Sequence, residues 1–248
     1  MYYYLFEPNS PSKESNFSRV KSLVSLHGIV GEMATPSPSR PLEDLVTYAA
    51  EKGYNTVVAV GGGGFLTSVA KLLAKSDLAV GCIPIGASPE LQDLLGVKTL
   101  DQAVLSLKQR KVSETGLGVI APGRVFLLSA HIHTKTPSPV IIESKTFRVE
   151  GSFTQLTIER KDTVTIRFSD RSAGHSVVRK FASWLIGRSA SDPTETALRS
   201  STLSVATPHP LDILVEDAPF AKTPCKIRVS PRALKLIQAR TTIASDQP

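Results

Sequence analysis

The sequence predicts an α/β chain in two parts: an N-terminal, Rossmann-like three-layer domain around a parallel sheet, and a C-terminal antiparallel β-sandwich-like domain. Three observations carry that expectation. Up to about Lys108, strand-like runs alternate with helical stripes. After about Glu114, short β-rich runs follow one another with turn residues between them. A glycine run, Gly61 to Gly64, stands between an apolar run and a strongly periodic helix. The expected division is 1–120 for the α/β domain, 121–240 for the β-rich domain and 241–248 for a flexible tail.

The elements follow in order. Tyr2 to Phe6 is a β-rich run ended by Pro8, Ser10 and Pro11. Val20, Leu23, Val24 and His27 make a helical stripe, with Gly28 as its closing glycine. Thr35 to Pro41 is a proline-rich loop, and Pro41 is placed to be the first helical residue. Leu42, Leu45, Val46, Ala49 and Ala50 share the next helix face, acids Glu43 and Asp44 lie in its first turn, and Gly53 stops it. Thr56 to Val60 reads as a strand buried on both faces. Beyond the glycines, Leu66, Val69, Ala70, Leu73 and Ala74 recur at helical spacing.

Leu78 to Ile83 is a second buried strand, stopped by Pro84 and Gly86, and Glu90 to Leu95 a short helix. Thr99 with Gln102 forms a capping box ahead of Leu100, Ala103, Val104 and Leu107. In the second part the expected strands are Val125 to Ser129, Val140 to Ile142, Thr146 to Val149, Gln155 to Ile158 and Val164 to Phe168. After them come Leu203 to Ala206, Leu211 to Val215, Cys225 to Val229 and Ala233 to Ile237. A helix over Val177 to Leu185 and a polar loop over Ser189 to Thr196 interrupt them.

Composition narrows the function. With 248 residues, 41% apolar and 21% charged, the chain can bury a core, and disorder throughout is not expected. A net charge of +7 favours anionic partners, although no Lys/Arg block exceeds two residues, so nucleic acid is not expected. Cys82 and Cys225 stand apart in apolar runs and read as buried free thiols of a reducing compartment. No run of 18 apolar residues and no basic n-region is present, so a cytoplasmic protein is expected, with peripheral contact at a membrane as an open option.

The glycine run is the main functional signal. Main-chain N–H groups at a helix start lack intrahelical partners, the helix dipole favours an anion there, and glycine lets a phosphate approach without meeting a Cβ. The alternative is a tight turn that packs helix on strand. A P-loop would need Lys and Ser/Thr where Phe65 and Leu66 stand, and a dinucleotide fingerprint would need glycine at Leu66. Neither motif fits.

A longer pattern does. Val57 to Leu66 (VVAVGGGGFL), followed by Gly81 to Val97 (GCIPIGASPELQDLLGV), resembles the catalytic domain of the diacylglycerol kinases, whose fold is shared with sphingosine kinases and NAD kinases. That family carries GGDGT after a strand, then IPxGTxNDFAxxLG. Its NPxSG stretch has a partial echo in Glu7-Pro8-Asn9-Ser10-Pro11, and Thr35 resembles its threonine before the second helix. Pro210 to Ile237 resembles its closing motif, with Thr223-Pro224 and Pro231-Arg232-Ala233-Leu234 in register. The resemblance implies ATP-dependent phosphorylation of a lipid hydroxyl. It implies ATP and Mg²⁺ as cofactors, a nucleotide and an anionic lipid or membrane surface as partners, and a nucleotide site at Ser10, Thr35, Gly61, Gly62, Gly63, Gly64 and Gly86.

Departures from the pattern are specific. Gly63 stands where the family has the aspartate of GGDG, Phe65 where it has threonine, and Ser68 where it has a helix glutamate. Ala87, Pro89 and Glu90 replace the Thr, Asn and Asp of GTxND, and proline offers neither an amide side chain nor a backbone donor. Glu216, Asp217 and Ala218 replace the last acidic motif. Of the remaining acids, Asp162 is either a catalytic base or a turn residue, set beside Glu159 and Lys161. No catalytic residue is therefore assigned. Two functions stay open: an active lipid kinase, or a catalytically impaired pseudokinase that binds nucleotide or anionic lipid without turnover.

Two further features have a plain and a functional reading. His131 and His133 share one strand face, as an exposed pair or as two metal ligands lacking a visible third, so no metal site is expected. The basic helix with Arg179, Lys180, Phe181 and Trp184 either packs on the β domain or touches an anionic membrane.

Overall fold

The computed structural model describes residues 1–8, 13–86, 88–160, 163–169 and 195–239. The fold is mixed α/β. The chain divides into two compact units, Met1–Thr115 with the segment from Arg232 on, and Gly116–Pro231. The division between Thr115 and Gly116 falls within the strand Val112–Ile120, and the described residues from Arg232 to Ala239 belong to the first unit.

In the first unit, β1 (Tyr2–Phe6), β2 (Gly31–Ala34), β3 (Thr56–Gly61) and β4 (Ala79–Pro84) are parallel in the order β2–β1–β3–β4. The strand that ends the described chain, β14 (Cys225–Ile237), joins beside β4, with Lys235 opposite Ala79 and Leu236 opposite Val80. Helices α1 (Lys13–Leu26), α2 (Leu42–Glu51), α3 (Gly63–Leu72), α4 (Pro89–Leu95) and α5 (Leu100–Gln109) connect the strands. Every residue of β3 is buried, as the continuous apolar run Thr56–Gly61 requires of a strand covered on both faces.

One face of the sheet, through Tyr4, Phe6, Val58 and Val60, packs on Val20 and Val24 of α1 and Val104 and Leu107 of α5. The other face carries Tyr3, which meets Tyr48 of α2 and Tyr54 at 5.7 and 5.0 Å between ring centres. Each such buried side chain contributes roughly 1.5–3 kcal/mol. Tyrosine hydroxyls tie β1 to its surroundings: Tyr2 donates to the Leu107 carbonyl at 2.8 Å and Tyr4 to that of Ile29 at 2.5 Å.

Helix starts follow the sequence closely. The Thr99 hydroxyl accepts from Gln102 N at 3.2 Å, and the Gln102 side chain reaches back to Lys98 N at 2.8 Å, one residue earlier than the usual box. Ser88, unforeseen as a cap, accepts from Leu91 N at 3.2 Å. Pro41 is the N-cap rather than the first helical residue: its ring fixes φ at −64°, but ψ is 166°, which is extended.

In the second unit the long strands β7 (Ala130–Glu143) and β8 (Arg148–Arg160) pair antiparallel, followed by β9 (Val164–Ser169) and β10 (Glu195–Ser200). On the other side of β7, β11 (Thr202–Ala206) leads to the first part of β14. The β12 (Asp212–Val215) and β13 (Ala218–Lys222) hairpin pairs with β7 through Leu214 and His131. β5 (Val112–Ile120) and β6 (Arg124–Phe126) form a further antiparallel pair. Phe126, Phe153, Ile158, Ile166, Leu203 and Ile227 anchor the core of this unit.

Several expected boundaries are corrected. Of the expected strand Thr146 to Val149 only Arg148 and Val149 are extended, and they lie in one strand with Gln155 to Ile158, because β7 supplies partners along nearly the whole of β8. Cys225 to Ile237 is likewise one strand despite Pro231 and the left-handed φ of 47° at Arg232, since β11 pairs before that point and β4 after it. Glu195 and Thr196, expected in a polar loop, open β10, held by β9. The helix over Val177 to Leu185 lies outside the described residues.

Candidate functional site at the carboxyl edge of the parallel sheet

Parallel strands deliver their carboxyl ends to one edge, and in open α/β sheets ligands bind there. The register brings the expected site residues to that edge: Phe6 is opposite Val60, Leu5 opposite Ala34, and Gly61 opposite Pro84. Thr35 therefore follows the end of β2, Glu7 the end of β1, Gly62 the end of β3 and Gly86 the end of β4. Thr35 is half-buried and Gly86 exposed. Gly86 has φ +65°, and a Cβ at that position would meet nothing within 4 Å, so backbone conformation rather than space selects glycine there. Ser10 lies outside the described residues.

The four glycines have four different situations. Gly61 closes β3 and is buried; Gly62 is the N-cap of α3 and half-buried; Gly63 opens the helix and is buried; Gly64 is exposed. Leu66 N already donates to Gly62 O at 3.1 Å, so the helix proper starts at this turn. The turn has no side-chain cap of its own and no acid in the helix's first turn.

What serves the turn instead is Glu7, a residue that the sequence patterns did not single out. Its Oε2 accepts from Gly62 N at 3.0 Å, while its own N–H donates to Val60 O at 2.9 Å. A Cβ on Gly61 would stand 2.6 Å from that oxygen. At this position the close approach that glycine permits is made by the protein's own carboxylate. In the sequence Glu7 figures only as the first residue of the partial NPxSG echo, which carries no sign of this contact.

The other candidates are less convergent. His131 and His133 do share a face of β7, their rings stacked at 6.0 Å and 19°. His131 is engaged on both nitrogens, with Ser129 Oγ at 2.8 Å and Thr157 Oγ1 at 3.3 Å. Among the described residues no three His, Cys, Asp or Glu side chains gather as metal ligands. Glu159 is paired with Arg167 at 3.0 Å, and Asp162 lies outside the described residues. Glu216 and Asp217, both at positive φ, are the two-residue turn of the β12–β13 hairpin. Neither Cys82 nor Cys225 forms a disulfide; Cys225 is only half-buried, and burial still pushes its thiol up to about 11.

A family model of the diacylglycerol kinase catalytic domain matches residues 2–120. The chain carries a diacylglycerol kinase catalytic domain signature. Its match spans β1 to β5, and so includes Glu7, Thr35, the glycine turn and Gly86. A diacylglycerol kinase structure from Bacillus anthracis str. Sterne superposes with a TM-score of 0.74 at 13% identity, covering 96% of this chain and 97% of the other. A second structure from that organism, provisionally assigned the same activity, gives 0.75 at 12% identity over 96% and 97%. These likenesses show the diacylglycerol kinase fold over nearly the whole length of both chains. No curated protein sequence matches the chain. No helix among the described residues is long and apolar enough to cross a membrane.

Proposed function

We propose that this chain is a diacylglycerol kinase-fold protein that binds a nucleotide at the carboxyl edge of β1–β4 and has lost most of the phosphoryl transfer its family performs. The observation that carries the reading is Gly63. The family's motif has an aspartate there; here the first helical residue of α3 is a buried glycine without a side chain. Phe65, buried to 8% exposure, replaces a threonine two residues on, and Pro89 occupies a position that had an amide side chain. Phosphoryl transfer depends on positioned charge around the transferring group, so losing one contributor costs roughly a hundredfold and losing several leaves little. Backbone amides, by contrast, survive any side-chain change. The nucleotide phosphates are assigned to the turn at Gly62–Gly64, with Thr35 and Gly86 flanking it, and any Mg²⁺ arrives with the phosphates.

Titration calorimetry with ATP and Mg²⁺, beside a phosphorylation assay on diacylglycerol in mixed micelles, tests the reading. Heat of binding without phosphate transfer above the protein-free rate is the expected result; robust transfer sinks it. The second reading, an active ATP-dependent lipid kinase, is favoured by likeness to a diacylglycerol kinase across 96% of the chain. In both readings the net charge of +7 suits a cytoplasmic protein that meets anionic lipid at the membrane surface. Sedimentation with phosphatidylserine vesicles reports that contact.

A further inference from the structure

The glycine turn already has an anion on it. The Glu7 carboxylate accepts the Gly62 N–H at 3.0 Å and lies across Gly61 where a Cβ would stand 2.6 Å away. Neighbouring helices solve the same problem locally: α4 is capped by Ser88 and α5 by Thr99, each from the residue before the helix. Helix α3 alone of these three takes its side-chain acceptor from another strand, 55 residues away in the chain. A phosphate oxygen binding the Gly62 amide would occupy the position Oε2 occupies now, and would meet a like charge on approach.

We propose that Glu7 sets the anion affinity of this turn, standing in for a phosphate oxygen and holding polyanions off until it is displaced. The inference rests on the nucleotide-binding reading above and makes Glu7 a specificity-determining residue of that site. The side chain has the means to leave, being half-buried and reaching the turn over rotatable bonds, while its backbone stays anchored through Val60.

The full chain and its Glu7→Gln and Glu7→Ala variants are titrated with ATP and, separately, with inorganic pyrophosphate; Glu51→Gln removes an equal charge from the far end of α2 as a control. Glu7→Ala tightens binding of both ligands by about tenfold or more, the worth of one charged hydrogen bond regained. Glu7→Gln falls between, since it removes the charge and keeps an acceptor near the amide, and Glu51→Gln matches the parent. Should Glu7→Ala fail to fold, the near-isosteric Glu7→Gln still has to bind more tightly than the parent. If the parent and both Glu7 variants bind equally, Glu7 is only a helix cap and the inference falls while nucleotide binding stands. If none of the proteins binds either ligand, the nucleotide reading falls and this inference with it.

Discussion

Gly61 and Glu7 share one small space: a Cβ on Gly61 would stand 2.7 Å from the Glu7 Cβ and 2.6 Å from its Oε2. Because the Glu7 backbone is held to Val60 at 2.9 Å, the strand ends cannot separate freely to admit the extra atom. Gly61→Ala is expected to lose about 1–3 kcal/mol in denaturant melts, the range for overpacking. Glu7→Gly in the same chain recovers most of the loss, whereas Glu7→Ala does not, since it keeps the clashing Cβ. Equal stability of Gly61→Ala and the parent would contradict this packing.

Gly118 and Phe126 make a similar pair in the second unit. They are direct partners in the β5–β6 ladder, and the Phe126 ring lies over the space a Gly118 Cβ would fill. Phe126 is fully buried. Phe126→Ala is expected to cost about 3–5 kcal/mol and Gly118→Ala about 1–3 kcal/mol. The double variant should cost less than the sum, because the ring that obstructs the new methyl group is gone. A double-mutant cycle by urea unfolding checks it.

The caps at Ser88 and Thr99 give a smaller, local effect. Ser88→Ala and Thr99→Ala each leave a helix N–H without its side-chain acceptor, for about 0.5–2 kcal/mol apiece. Asparagine at either position should restore most of it. Hydrogen exchange confined to the first turn of α4 or α5 reports the loss before a global melt does.

Alkaline pH should weaken the fold through Tyr54. Its hydroxyl donates to Glu32 Oε2 at 2.7 Å, and that hydrogen bond, with some burial, pushes the phenol from 10.0 up to about 12. The folded chain favours the neutral form, so the contribution is complete below pH 10 and is lost as pH rises towards 12. Cys225 acts with the same sign between 9.0 and about 11, through burial of its thiol. Stability measured from pH 8 upwards should fall less steeply in Tyr54→Phe with Cys225→Ala than in the parent; identical slopes would remove both groups as the cause.

Much of the first unit was legible because its elements are amphipathic in the ordinary way. Leu45, Val46 and Ala49 are buried at the spacing read from the sequence, as are Leu66, Val69 and Ala70. Gly28 closes α1 with φ +66°, and Ile29 N folds back to Val24 O at 2.9 Å. Strand β2 was not legible. It is a partly exposed edge of four residues, with no apolar alternation to mark it, and it exists because β1 offers a row of hydrogen-bond partners. The same holds for β10, whose polar residues are held by β9.

The site divides in the same way. That a glycine turn opens α3 is a fact of adjacent residues and stands in the sequence alone; that an aspartate is missing from it at Gly63 comes from the resemblance to the diacylglycerol kinase pattern. Spacing also foretold that His131 and His133 face one way, since a strand repeats every two residues. Sequence could not tell which group would come to lie on the turn, because Glu7 and Gly62 meet only once β1 has paired with β3. Local order is written in neighbouring side chains; the acceptor a main-chain amide finds across the sheet is decided by register, a property of the assembled strands.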